Sequence, residues 1–261
     1  AHPAADPAAF RIKVRRAGAG ASSFNNEPRY ELAAYEISRL LFPADEQVVP
    51  AIALRSAPLA QFRLIDPAAV EAWRGTAATF YMVQCWLDGA KPHPLKIDAA
   101  RFAADSAYAR TISRLNVVTY LIEHKDSNRG NVMLTGEGAA VRAWAIDNGV
   151  AFDSEESDVG IFWKDLHVDA VDRALADRLR TLTLDELRAR LAVIVQYELV
   201  GDTWEPRPPG VNIDPHRGVR RRGRQLQLGL TGMEIGAVER RRVKLVRRIE
   251  QGALRLLPDA S

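Results

Sequence analysis

From Tyr30 the chain reads YELAAYEISRLL, with apolar positions recurring every three to four residues. Leu32, Ala33, Tyr35, Ile37, Leu40 and Leu41 gather mostly on one side of a 3.6-residue spiral, which predicts a helix ended by Pro43. Ahead of it, FRIKV at residues 10–14 alternates apolar and basic positions, the period of two of a half-buried strand. Residues 18–28 between them are rich in Gly, Ala, Ser and Asn and read as a flexible connection. Residues 48–54 and 80–86 read as two more strands, and Asp88-Gly89 with Pro92 and Pro94 marks a turn or linker. A long helix over about 107–123 runs into His124. Residues 131–134 and 143–146 then read as short strands of a hairpin around Thr135-Gly-Glu-Gly138. Further on, TLDE at 183–186 and TGME at 231–234 are capping boxes that open helices. The Pro-, Gly- and Arg-rich stretch 201–224 between them reads as a long loop, and the rest as helical.

This order predicts an α+β chain in two lobes. Residues 1–9, rich in Ala and Pro, form a loose start. A small strand-rich lobe covers 10–87 and a larger, mainly helical lobe covers 88–261, with the linker near 87–94.

Composition narrows the picture a little. The chain has 261 residues, 47% hydrophobic and 26% charged, enough for one large domain or two packed lobes. No apolar run reaches the length of a membrane span. The single cysteine, Cys85, excludes an internal disulfide and a cysteine zinc site, and its apolar neighbours read as those of a buried, inert thiol. The start at Ala1, without Met, fits signal-peptide removal and a trimmed start equally, so the compartment stays open between cytoplasm and periplasm or secretion.

Candidate chemistry centres on HKDSNRGN at 124–131 and AIDNG at 145–149. Phosphoryl transfer needs a base near the acceptor hydroxyl, oxygen ligands for a metal, and a cation on the phosphates. Asp126 followed five residues later by Asn131, with Asp147 at the end of the next strand, supplies the first two. Gly149 lets the backbone turn after it. Lys13 on the first strand and Glu31 at the start of the first helix supply a cation and an acid to hold it, with Glu36 as a rival for the acid.

Taken in this order, Lys13, Glu31, HKDSNRGN and AIDNG resemble the protein-kinase superfamily over residues 10–155. The likeness is nearest to its atypical branch: the secretory-pathway kinases related to the Golgi casein kinase, and the phosphatidylinositol 3-/4-kinases, as a bacterial member of that set. The resemblance implies a two-lobed kinase fold, ATP and Mg²⁺ or Mn²⁺ as cofactors, and a hydroxyl acceptor on a protein serine, a lipid inositol or a sugar. It implies that Lys13 contacts the α- and β-phosphates and that Glu31 pairs with Lys13 or reaches the metal. It further implies that Asp126 accepts the hydroxyl proton and that Asn131 and Asp147 bind the metal. Gln84, Cys85 and Trp86 would form the hinge whose backbone meets adenine.

The sequence departs from that pattern in two places. Asp147 is followed by Asn148, not Phe, and no Gly-rich stretch precedes Lys13, since Gly18-Ala-Gly20 follows it. A nucleotide-sensing or partner-binding pseudokinase therefore stands as an alternative, as does a small-molecule phosphotransferase of the aminoglycoside type.

Charge adds one feature. The net charge is only +3, but RGVRRRGR at 217–224 and ERRRVKLVRR at 239–248 concentrate it. This suits an acidic partner or an anionic membrane surface, or simply a solvated face. An apolar stripe through 238–257 predicts that this helix packs on the body. No aromatic-interleaved nucleic-acid motif is present, His167 reads as structural, and His2, His93 and His216 have no metal-ligand spacing.

Overall fold

The computed structural model describes residues 11–22, 27–94, 96–152 and 160–258. The loose start predicted at 1–9 lies outside them. The chain is mixed α and β, with several small sheets.

The first sheet is antiparallel, with strands β1 (Ile12–Arg16), β2 (Ile52–Pro58) and β3 (Ala78–Cys85) in the order β1-β3-β2. The central strand is the most apolar, and Phe80 and Met82 are buried on it. Lys13 and Ile52 both lie opposite Gln84, and Arg15 lies opposite Met82. Helix α1 (Pro28–Leu41) starts with Pro in its first turn, where the missing N–H costs nothing. The strand expected from residue 48 begins only at Ile52. Val48 and Val49 are buried, but Val48 donates its N–H to Ser38 Oγ, and Pro50 has no N–H for a ladder. A four-residue helix, α2 (Leu59–Phe62), follows β2.

The predicted linker carries a short strand, β4 (Lys91–Pro92), and is followed by helices α3 (Ala99–Ala104) and α4 (Ser106–Leu121). Asp105 caps α4, accepting from Tyr108 N–H at 3.0 Å. The expected hairpin forms as β5 (Val132–Thr135) and β6 (Arg142–Ala145), with β4 added on its edge. Then come β7 (Ala170–Val171), α5 (Arg173–Thr181) and α6 (Leu184–Leu191), whose Thr183–Glu186 capping box is complete.

Residues 195–228 correct the expectation of a mainly helical remainder with a loop over 201–224. They form β8 (Val195–Val200), β9 (Thr203–Arg207), β10 (Val219–Arg222) and β11 (Gln225–Leu228), in the order β10-β11-β8-β9. The reason lies in two tight hairpins. Val200 pairs with Thr203 and Arg222 with Gln225, leaving Gly201-Asp202 and Gly223-Arg224 as two-residue turns. Each glycine has φ near +60°, and neither following residue has positive φ, which fits a turn of type II′. Arg220 in this basic run is not solvated. Its guanidinium is buried and donates to the carbonyls of Asp214, Ala192 and Leu230, and burial pulls its pKa down to about 10.

Helix α7 (Gly232–Glu250) opens on the predicted Thr231–Glu234 box, and β12 (Arg255–Leu256) closes the described chain beside β7. As its apolar stripe predicts, α7 packs on the body through Ile235, Val238, Leu245 and Ile249.

Two apolar cores result. The larger gathers α1, α4, α5, α6, α7 and the β5–β6 hairpin. The smaller lies between the β1-β3-β2 sheet and the β8–β11 sheet, where Phe80 meets Tyr197 edge-on at 4.9 Å and Trp73 meets Trp204 at 5.4 Å. Tyr197 ties the two sheets by donating its hydroxyl to Leu54 O at 2.6 Å.

Candidate functional site

Helix α4 stops because Glu123 takes φ +54°, left-handed and closed to further helix. The chain then forms a compact loop whose spacing has a mechanical reason. Asp126 Oδ1 accepts from Asn128 N–H at 3.3 Å, and Asn128 Oδ1 accepts from Gly130 N–H at 3.0 Å, two side-chain turns in succession. Asn131 closes the loop by donating Nδ2 to Asp126 O at 3.1 Å. The five-residue interval from Asp126 to Asn131 is thus the span of one clamped turn. Ile146 N–H, on the next segment, donates to Asn131 O at 2.9 Å and brings Asp147 alongside.

His124 is fully buried under this loop. Burial lowers its pKa to about 4, although Asp126 and Asp147 pull the other way, so it is neutral at physiological pH.

Asp147 has φ +57°, a strained conformation for a residue with a side chain, and its carboxylate is about one-third exposed. Arg15 Nη1 donates to Asp147 Oδ1 at 2.6 Å, and Arg15 Nη2 pairs with Glu31 Oε1. Glu31 Oε2 accepts from Asn148 N–H at 3.0 Å. One guanidinium therefore joins the strand, the helix and the segment after β6. Burial raises the pKa of Glu31 against the pull of Arg15. Burial works against the charge of Arg15, but Glu31 and Asp147 outweigh it and raise its pKa.

This corrects the pairing expected between Lys13 and Glu31. Lys13 and Arg15 point to the same side of β1, two residues apart, and Arg15 is the one within reach of the acid. Lys13 has no ion-pair partner among the described residues and instead lines a cavity of about 350 Å³. Gln84, Cys85, Trp86, Leu87, Ala90, Met133 and Ile146 complete its wall. The three predicted hinge residues and Lys13 thus border one apolar space, and Ile146 joins it directly to Asp147.

Two details of that wall differ from expectation. Cys85 is exposed, not buried, because β3 turns its side chain away from the covered face at its last residue. The N–H groups of Cys85 and Trp86 are already bonded to the carbonyls of Ala51 at 2.9 Å and Arg11 at 3.1 Å. Leu87 N–H has no hydrogen-bond partner among the described residues.

Oxygen donors for a hard cation are present. Among the described residues Asn131 uses only its Nδ2 and Asp147 only its Oδ1, so these leave one amide oxygen and one carboxylate oxygen unengaged. That donor set suits Mg²⁺ or Mn²⁺ shared with a phosphate ligand. No cluster of three His, Cys, Asp or Glu side chains occurs among the described residues, so no all-protein cage competes with it.

Arg15, Leu87, Met133 and Ile146 were missed in the sequence. Arg15 carried a usable signal, its two-residue offset from Lys13. The others carried none, since an apolar residue at a strand end looks the same whether it faces a core or a cavity. No protein-family model matches the chain, and no curated protein matches it.

Proposed function

We propose that the chain is an ATP- and divalent-metal-dependent kinase of protein-kinase-like, two-lobed fold, transferring the γ-phosphate to a hydroxyl on a protein serine, a lipid inositol or a sugar. One observation carries this reading. Asp126, Asn131, Asp147, Glu31 and Arg15, drawn from separated stretches of chain, are linked to one another beside Ile146, which borders an apolar cavity with a lysine in its wall. A purine fits such a cavity, and its phosphates would extend toward Lys13 and Arg15. Leu87 N–H, without a partner among the described residues, would be the backbone donor for the base. Asn131 and Asp147 would hold the metal, which when bound neutralises phosphate charge. Asp126, on the clamped turn, would take the proton of the acceptor hydroxyl.

A second reading is favoured by the Arg15–Asp147 pair, which engages the metal carboxylate with a protein cation. It makes the chain a nucleotide-binding module without transfer.

A thermal-shift titration with ATP, with and without Mg²⁺ or Mn²⁺, tests the common part of both. The expected outcome is a metal-dependent rise in Tm that disappears in Asp147→Ala. A shift of the same size in the variant removes the metal assignment, and no shift with any metal removes the nucleotide site.

A further inference from the structure

The two basic runs of the sequence have different fates in the fold. In the first, the arginines are occupied. Arg217 pairs with Asp214, Arg220 is buried, and Arg221 lies on Trp73 and Trp204. Arg222 and Arg224 donate to the carbonyls of Ile213 and Leu199. In the second run, on α7, Arg241 is engaged by Glu123 and the Leu121 carbonyl, and Arg242 by Glu239 and the Leu179 carbonyl. The side chains of Arg240, Lys244, Arg247 and Arg248 have no ion-pair or hydrogen-bond partner among the described residues. Their spacing, i, i+4, i+7 and i+8, sets all four on one side of the helix. The opposite side carries Ile235, Val238, Leu245 and Ile249 into the core, so the cations are held outward. Two apolar side chains share the outer side: Met233 is 78% exposed and Val243 is 41% exposed.

We propose that this outer side of α7 is a docking surface for an anionic lipid bilayer. A helix fixed along its length presents its cations in one row, which a flat layer of phosphate head groups can meet all at once. Exposed Met and Val beside the cations gain nothing from a soluble polyanion, but they can enter the boundary between head groups and acyl chains. Nucleic-acid binding calls for stacking side chains, and α7 holds no aromatic residue. Met233 and Arg240 also share a small cavity with Glu123, at the end of α4, and Phe152, in the segment after Asp147. Docking in this way does not require the nucleotide cavity, whose wall has no residue in common with this surface.

Sedimentation of the full chain with vesicles tests this. The native chain should sediment with phosphatidylcholine vesicles containing about 30% phosphatidylserine, not with phosphatidylcholine alone, and added salt should release it. The triple variant Arg240→Gln, Lys244→Gln, Arg247→Gln should lower partitioning about 10²-fold. The control Arg217→Gln, Arg222→Gln, Arg224→Gln removes the same charge from the other basic run and should change it by less than about threefold. Met233→Ser should weaken it about fivefold or more. All seven side chains are exposed, so the Tm of each variant should stay near the native value. A native chain indifferent to phosphatidylserine, or triple and control variants that lose binding alike, overturns the surface. Equally tight binding to soluble polyglutamate or to an oligonucleotide, with Met233→Ser without effect, overturns the bilayer as its partner. The Tm shift with ATP and Mg²⁺ reports the cavity separately, so its absence would remove the nucleotide reading and leave the docking surface standing.

Discussion

Asp126 and Asp147 lie on segments that Asn131 links, yet their surroundings differ. Asp126 is held by a turn and contributes its own backbone carbonyl to the clamp from Asn131. Asp147 is held by an arginine and a strained backbone. Asp126→Ala should therefore leave ATP affinity within about twofold and reduce transfer by about 10²-fold or more, since a general base touches the acceptor and not the nucleotide. Equilibrium binding measured beside single-turnover transfer separates the two effects. Loss of both in parallel would remove the base assignment. At this scale the sequence was informative where spacing reflects one local hydrogen-bonded turn, as in the Asp126–Asn131 loop. It was uninformative where two candidates of like chemistry are neighbours. Lys13 and Arg15 both face the same way, and only the distance to Glu31 decides between them.

Helix α7 shows how one side chain can serve an element and its docking together. Glu234 closes the capping box with Thr231, accepts from Arg29 through both oxygens at 2.8 Å, and accepts from Tyr30 Oη at 2.7 Å. Burial opposes its charge, but Arg29, the Thr231 N–H and Tyr30 outweigh it, so its pKa is below the ordinary glutamate value. A carboxylate with a depressed folded pKa adds stability that is complete above the unfolded pKa of about 4.3 and is lost as pH falls through the folded value. Glu234→Gln removes the nearer carboxylate of Arg29 and leaves it Glu27 at 3.6 Å, and at pH 7 it should cost about 2 kcal/mol. The gap between variant and native chain should close as pH drops below about 4. Urea unfolding at a series of pH values checks this, and a gap that stays constant with pH would deny the ionised carboxylate its role. The α7 cap was legible in the sequence because a capping box is local. The β8–β11 sheet was not, because its arginines and glycines look like a loop until their partners are known. Arg221 there lies against Trp73 and Trp204, with ring centroids 5.6 and 5.5 Å away, residues 148 and 17 positions distant.

Across the molecule, the β8–β11 sheet packs on the same face of the first sheet that carries Lys13, Arg15 and Gln84, farther along its strands. The cavity wall and the bracing core share β3, with Gln84 in one and Phe80 in the other. Trp204→Ala should cost about 3–5 kcal/mol, typical for deleting a buried aromatic, and lower the urea midpoint without changing the slope. A change below about 1 kcal/mol would mean that the sheet does not brace its neighbour. The α+β class and the strand–helix order of the first half could be foreseen from periodicity. The joining of residues 195–228 to strands near the start could not, since period gives each strand a face but not a partner.

Cys85 is the chain's one thiol, is exposed, and borders the cavity. An alkylating dye thus has a single address on this protein, on the rim of the cavity proposed to hold the nucleotide. The speed of that labelling is a gauge of occupancy that needs no engineered residue and no knowledge of the acceptor. Candidate nucleotides for that cavity can be ranked by how far they slow the reaction.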